Sequence, residues 1–148
     1  LVYNKAAAVL HMLRRFLGDE TFFNGVRRFY TEQRFQKTGT RDLQRAFEAE
    51  SGKSLDRFFE RWIYGAEVPR VHYAQSIADG TVSLRFEQQG ELIFDIPVTV
   101  TVTYKDGRTQ DLVVPITERV VEHQIATDGA VRHVKINRDN AAVALFDD

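Results

Sequence analysis

The hydrophobic period of this chain changes once, near residue 70, and that change constrains its fold more than any other feature. Upstream, apolar residues recur at three- and four-residue steps. Ala6, Val9, Leu10, Leu13, Phe16 and Leu17 predict one amphipathic helix, with Gly18 as its C-terminal stop. Asp19 is placed to cap a second helix whose apolar face carries Phe22, Phe23, Val26, Phe29 and Tyr30. That aromatic stripe reads as core. Gly39-Thr40 breaks the pattern, and Thr40 is expected to cap a short third helix bearing Leu43, Ala46 and Phe47, ended by Gly52. Ser54 then caps a fourth, with Leu55, Phe58, Phe59, Trp62 and Ile63 buried, before Gly65 and Pro69 close the half. Four amphipathic helices joined by short loops make a helical bundle or the helical side of a larger domain.

From Val71 the period drops to two. Val82, Leu84 and Phe86 alternate with polar residues, as do Val98, Val100, Val102 and Tyr104. Asp79-Gly80, Asp106-Gly107 and Asp128-Gly129 fall between strand-like runs, and Asp-Gly supplies the positive φ angles of tight hairpins. A meander of six or seven antiparallel strands follows, which suits a small β-sandwich. Thr99, Thr101 and Thr103 are expected on its wet face. Helices and strands in separate blocks predict an α+β chain with two parts, 1–70 helical and 71–148 sandwich, meeting near Pro69–Val71. Charge changes sign at the same place. Residues 1–70 carry +4 and residues 71–148 carry −5, within a net charge of −1 over 148 residues.

That balance gives no global basic field for nucleic acid. Arg14-Arg15, Arg27-Arg28, Arg34, Lys37 and Arg41 cluster in the helical half, but adjacent arginines on a helix point about 100° apart. A solvated or docking surface is the better expectation. No run reaches the ~20 apolar residues of a membrane helix, and no targeting signal can be read. Cysteine is absent, which excludes disulfides and thiolate metal sites. The helical pattern is already running at Leu1, so the natural N-terminus is expected elsewhere.

Residue chemistry alone offers no catalytic constellation. His11 has no partner at ligand spacing, and His72 opens a strand alone. His123 and His133 flank Asp128-Gly129, but a two-residue turn there would point them to opposite faces of the hairpin. No G-x-S-x-G elbow or phosphate-binding glycine loop is present. Asp19-Glu20 reads as a helix N-terminus with its favourable dipole.

A run of motifs changes this reading. Val2-Tyr3-Asn4-Lys5-Ala6-Ala7 resembles the Tyr-x-Lys-Gly-Ala helix of zinc aminopeptidases of the aminopeptidase N family, which belong to the gluzincins. Leu17-Gly18-Asp19-Glu20-Thr21-Phe22 is similar to the family's Leu-Gly-Asp-Glu-x-Phe. Thr38-Gly39-Thr40-Arg41-Asp42-Leu43 resembles the stretch before its next helix. Ser51-Gly52-Lys53-Ser54-Leu55 and Phe58-Phe59-Glu60-Arg61-Trp62 resemble its Ser-Gly-x-x-Leu and Phe-Phe-x-x-Trp, and Ile136-Asn137-Arg138-Asp139 resembles the sandwich's closing strand. The resemblance implies that 1–70 is the helical end of a thermolysin-like catalytic domain and 71–148 the β-sandwich that follows it.

It also implies a catalytic role for Tyr3. In the family this tyrosine donates a hydrogen bond to the oxyanion formed when zinc-activated water attacks the peptide carbonyl; the residue-level alternative is an aromatic buried for packing. Ala6 stands where the family usually has Gly. The zinc helix His-Glu-x-x-His, its downstream Glu and the Gly-x-Met-Glu-Asn strand are not in this sequence. Zinc is therefore expected in a parent protein and not on this chain, which is expected to hydrolyse nothing alone. Peptide is the implied substrate, and a missing catalytic portion the implied packing partner. A non-catalytic interaction module built from helices and sandwich is the alternative, with nucleic-acid binding as a third reading.

Overall fold

The computed structural model describes residues 2–148, apart from the side chain of Val2; Leu1 lies outside the described residues. The chain divides into two compact units, Leu1–Ala66 and Glu67–Asp148.

In the first unit α1 spans Val2–Leu17, α2 Asp19–Glu32, α3 Thr40–Ser51 and α4 Asp56–Phe59, the last continuing as a π-helical turn over Glu60–Tyr64. The core is aromatic. Phe22 of α2 stacks on Phe47 of α3 with ring centroids 5.2 Å apart, and Phe58 of α4 lies 5.8 Å from Phe16 of α1 and 6.4 Å from Trp62. Gly25 is buried in α2 against the Phe47 ring, so this glycine permits a close helix approach.

The helix ends differ by one residue from expectation. Gly18, with φ +85°, is the N-cap of α2, and Asp19 is the first helical residue, paired with Arg14 at 2.8 and 3.0 Å. Gly39, not Thr40, caps α3; the Asp42 carboxylate reaches back to accept from the Gly39 N–H at 2.9 Å. Leu55, not Ser54, is the N-cap of α4. Gly52 ends α3 in the left-handed region, as expected of a C-terminal stop.

Two apolar stripes are narrower than their periodicity implies. On α1, Val9, Met12 and Leu13 are buried while Ala6 and Leu10 are exposed. On α2, Phe22 is buried and Phe29 half-buried, but Phe23, Val26 and Tyr30 are exposed. A two-layer helical packing covers about a third of a helix's circumference, so residues 60–100° off its centre stay at the edge.

The second unit is a sandwich of seven strands among the described residues: β1 Arg70–Ala78, β2 Thr81–Gln89, β3 Ile96–Tyr104, β4 Thr109–Ile116, β5 Val120–Ala126, β6 Val131–Ile136 and β7 Leu145–Asp147. One sheet runs β5-β2-β1-β7 and the other β4-β3-β6. Val82, Leu84 and Phe86 from the first and Val98, Val100 and Val102 from the second are fully or nearly fully buried. Asp79-Gly80 forms the two-residue hairpin between Ala78 and Thr81 that its sequence predicts.

Asp106-Gly107 likewise lies in the hairpin connection between antiparallel β3 and β4, whereas other expectations need correction. Asp128-Gly129 is not a hairpin: β5 and β6 lie in different sheets, so this turn crosses from one layer to the other. β7 runs parallel to β1, so the sheets are not wholly antiparallel. Ile136 ends β6, and residues 137–140 form a turn, with Asn137 and Asn140 both at φ +52°; the last strand comes later. Thr99 and Thr101 are buried, not wet, because their hydroxyls donate to Asp139 and Asp111, which cover them. A carboxylate partner satisfies the hydroxyl and lets it leave water.

Candidate functional site

Tyr3 lies in the first turn of α1 and is 88% exposed. Its direction follows from helix geometry. At 100° per residue, positions three, four and seven further along share its side, namely Ala6, Ala7 and Leu10. All three are exposed. The phenol therefore stands at the head of an open strip of small and aliphatic side chains. A packing role inside this unit does not fit that placement.

Beside the strip runs a groove of about 620 Å³, bordered by Ala6 and Leu10 of α1, Leu43 of α3 and Trp62 and Ile63 of the π-helical turn. Its lining is mostly apolar. Residues expected in the core, Ala6 and Leu10, form its wall instead.

Lys5 takes the opposite direction from Tyr3. Two residues apart means about 200° of rotation. Lys5 thus falls in line with Val9 and Met12, four and seven positions on, which are buried. Its Nζ donates to the carbonyl oxygen of Gly65 at 3.0 Å. Gly65 follows the π-helical turn directly, and a Cβ there would lie 2.4 Å from the Arg61 carbonyl oxygen, so only glycine fits without a shift. Sequence reasoning had placed Lys5 in a motif without giving it a task. Lys5 is itself exposed, so no signal in the sequence marked this bond.

The histidines do not converge. His11 is exposed on α1, and His72 of β1 sits 3.2 Å from the Asp147 carboxylate through Nδ1. His123 is on β5 and His133 on β6, in separate sheets. Among the described residues no group of three or more His, Cys, Asp or Glu could hold a metal. The side chains present thus do not fit a catalytic zinc, which prefers three protein ligands and an open position.

Two arginines of the basic cluster are neutralised locally. Arg14 pairs with Asp19, and Arg28 with Glu50 at 2.8 Å and Glu32 at 3.1 Å. The Arg14 bond holds the Asp19 carboxyl below the usual aspartate range. In the sandwich, the backbone N–H and then the guanidinium of Arg108 do the same to Asp106, while Asp128 and Asp106 raise Arg108. No helix among the described residues is long and apolar enough to cross a membrane.

Residues 1–62 match the model of the peptidase family M1 domain. Aminopeptidase N of Lactococcus lactis subsp. lactis is 34% identical over 88 residues, covering 60% of this chain and 10% of that protein. Tricorn protease-interacting factor F2 of Thermoplasma volcanium is 30% identical over 109 residues, covering 66% of this chain and 13% of that one. The crystal structure of Legionella pneumophila aminopeptidase A in complex with aspartic acid superposes with a TM-score of 0.83 at 17% identity, over 98% of this chain and 17% of that structure. The fold is thus shared along nearly the whole chain, while the chain spans only 10% and 13% of the length of these two curated relatives.

Proposed function

We propose, from the premise that this chain is a segment of a peptidase family M1 protein, that it serves an aminopeptidase that hydrolyses the N-terminal residue of peptides. Tyr3 is its contribution to the chemistry. The observation that carries this reading is the exposed phenol at the start of α1, on a strip that no side chain of its own unit covers deeply.

A phenol with a pKa near 10 remains protonated at neutral pH and can donate to a developing alkoxide. When the scissile carbonyl becomes tetrahedral, its oxygen gains charge and its hydrogen bond from Tyr3 strengthens. The donor is therefore worth more in the transition state than with bound substrate, which is the condition for raising kcat. Family M1 peptidases are in general zinc-dependent, and a metal supplies activated water and Lewis acidity to such a reaction. Among the described residues no side-chain group makes that site, so on this reading residues outside the segment grip the metal. The groove bordered by Leu10, Leu43 and Ile63 is the surface on which we place that remaining catalytic portion.

The test is Tyr3→Phe in the natural protein that contains this segment. Loss of one oxyanion donor should lower kcat by roughly 10²–10³ and leave KM within a few-fold. An unchanged kcat would remove Tyr3 from the mechanism. The 148-residue chain itself, given zinc and aminoacyl-nitroanilides, should release no chromophore; enzyme-like turnover would overturn the division of labour.

A further inference from the structure

We propose that Lys5 is a positioning residue for Tyr3, anchoring the first turn of α1 to the end of the π-helical turn; this rests on the catalytic reading of Tyr3 given above. Tyr3 is 88% exposed, so no packing within this unit holds its ring. An oxyanion donor nevertheless has to be held to a few tenths of an ångström, and a displacement of about 1 Å can cost ~10²-fold in rate.

The bond from Lys5 Nζ to the Gly65 carbonyl oxygen, 3.0 Å long, meets that need. It joins residues 60 apart in sequence, two positions from the phenol. Lys5 borders the same groove as Ala6 and Leu10, so the anchor lies next to the strip that Tyr3 heads. Its acceptor is itself constrained. Trp62, 4% exposed, lies within the π-helical turn and fixes it in the core, and the chain then leaves through Gly65, where a Cβ would strike the Arg61 carbonyl. A π-turn widens a helix by one residue and recurs at functional positions. Here it delivers an outward-facing carbonyl to an ammonium. An ammonium also belongs at a helix C-terminus, where the backbone dipole is negative.

The experiment is a double-mutant cycle in the full natural protein, with Tyr3→Phe, Lys5→Met, Lys5→Arg and the Tyr3→Phe/Lys5→Met pair. Lys5→Met should lower kcat about tenfold with little change in KM, and Lys5→Arg should restore most of it, since a guanidinium can still reach the carbonyl. In the Tyr3→Phe background Lys5→Met should have almost no further effect, because the group it positions is gone. Amide hydrogen exchange at Ala6–Val9 should speed several-fold in Lys5→Met whatever the activity, which reads the anchor directly. If Tyr3→Phe leaves kcat unchanged, the catalytic reading fails, and Lys5 with it. If Tyr3→Phe is severe but Lys5→Met is silent, or its effect adds in full to that of Tyr3→Phe, the positioning role is overturned and the catalytic reading stands. Unchanged exchange at Ala6–Val9 would also overturn it.

Discussion

Replacing Gly25 by alanine sets two effects of known sign against each other. Alanine is the better helix former by about 1 kcal/mol, so propensity alone predicts a more stable α2. Packing predicts the reverse. A Cβ built at Gly25 would lie 2.4 Å from Cδ1 and 2.8 Å from Cε1 of Phe47. Carbon atoms in contact prefer about 3.5–4.0 Å, so the ring must withdraw by roughly 1 Å. It has little room to do so. Phe47 is wholly inaccessible to solvent and stacked on Phe22 at 5.2 Å, and Phe22 meets Phe23 edge-on at 5.3 Å. Overfilling such a core costs about 1–3 kcal/mol. The clash wins, leaving a net loss of about 1 kcal/mol. For a unit of this size that lowers Tm by roughly 4–8 °C. Trp62 is the single tryptophan of the chain and is buried in the same unit, so its fluorescence follows this unit's unfolding apart from the sandwich. Phe47→Leu is the internal control. In that background the ring is gone, and Gly25→Ala should become neutral or stabilising. A Tm that rises for Gly25→Ala in the presence of Phe47 would refute the packing argument and leave propensity in charge.

Two further outcomes follow from other parts of the chain. Gln88 is 1% exposed, its amide donates to the Phe94 carbonyl at 2.8 Å and its oxygen accepts from the Phe94 N–H at 2.9 Å. Gln88→Leu removes both bonds, and chemical denaturation followed by tyrosine near-UV circular dichroism should show a loss of about 2–3 kcal/mol in the sandwich. Asp19 has a folded-state pKa below its unfolded value because of its bond to Arg14. Its contribution is therefore complete above about pH 4, the unfolded value, and is lost as pH falls through the lower folded one. A carboxyl NMR titration should place the Asp19 midpoint below that of an ordinary aspartate, and Arg14→Met should return it; a normal midpoint in the parent would show that solvent has dissolved the pair.

The fold was legible where local and tertiary signals agree. The change of period near residue 70 predicted helices then strands, and Gly18, Gly52 and Asp79-Gly80 occupy the positive-φ positions that a helix stop or two-residue hairpin requires. What failed was long-range. Asp128-Gly129 carries the same local turn chemistry as Asp79-Gly80, yet joins two sheets. A dipeptide specifies how the chain bends and not which strand it meets next. The threonines of β3 failed similarly, since only the fold brings Asp111 and Asp139 over them. The edge residues Ala6, Leu10, Phe23 and Tyr30 were assigned to the core because periodicity reports the width of an apolar stripe, and not how much of it a neighbour covers.

The candidate site divides along the same line. Tyr3 entered through a resemblance, since nothing in its local pattern separates a working phenol from a buried one. Its exposure in the structure favours the first. Lys5 entered through the same motif, with no task of its own. Its acceptor could not be read from sequence, because Gly65 is 60 residues away and offers a carbonyl, a group every residue owns. The metal follows the opposite logic. Zinc ligands are recognisable by type and spacing, and among the described residues no group of three or more His, Cys, Asp or Glu could hold a metal.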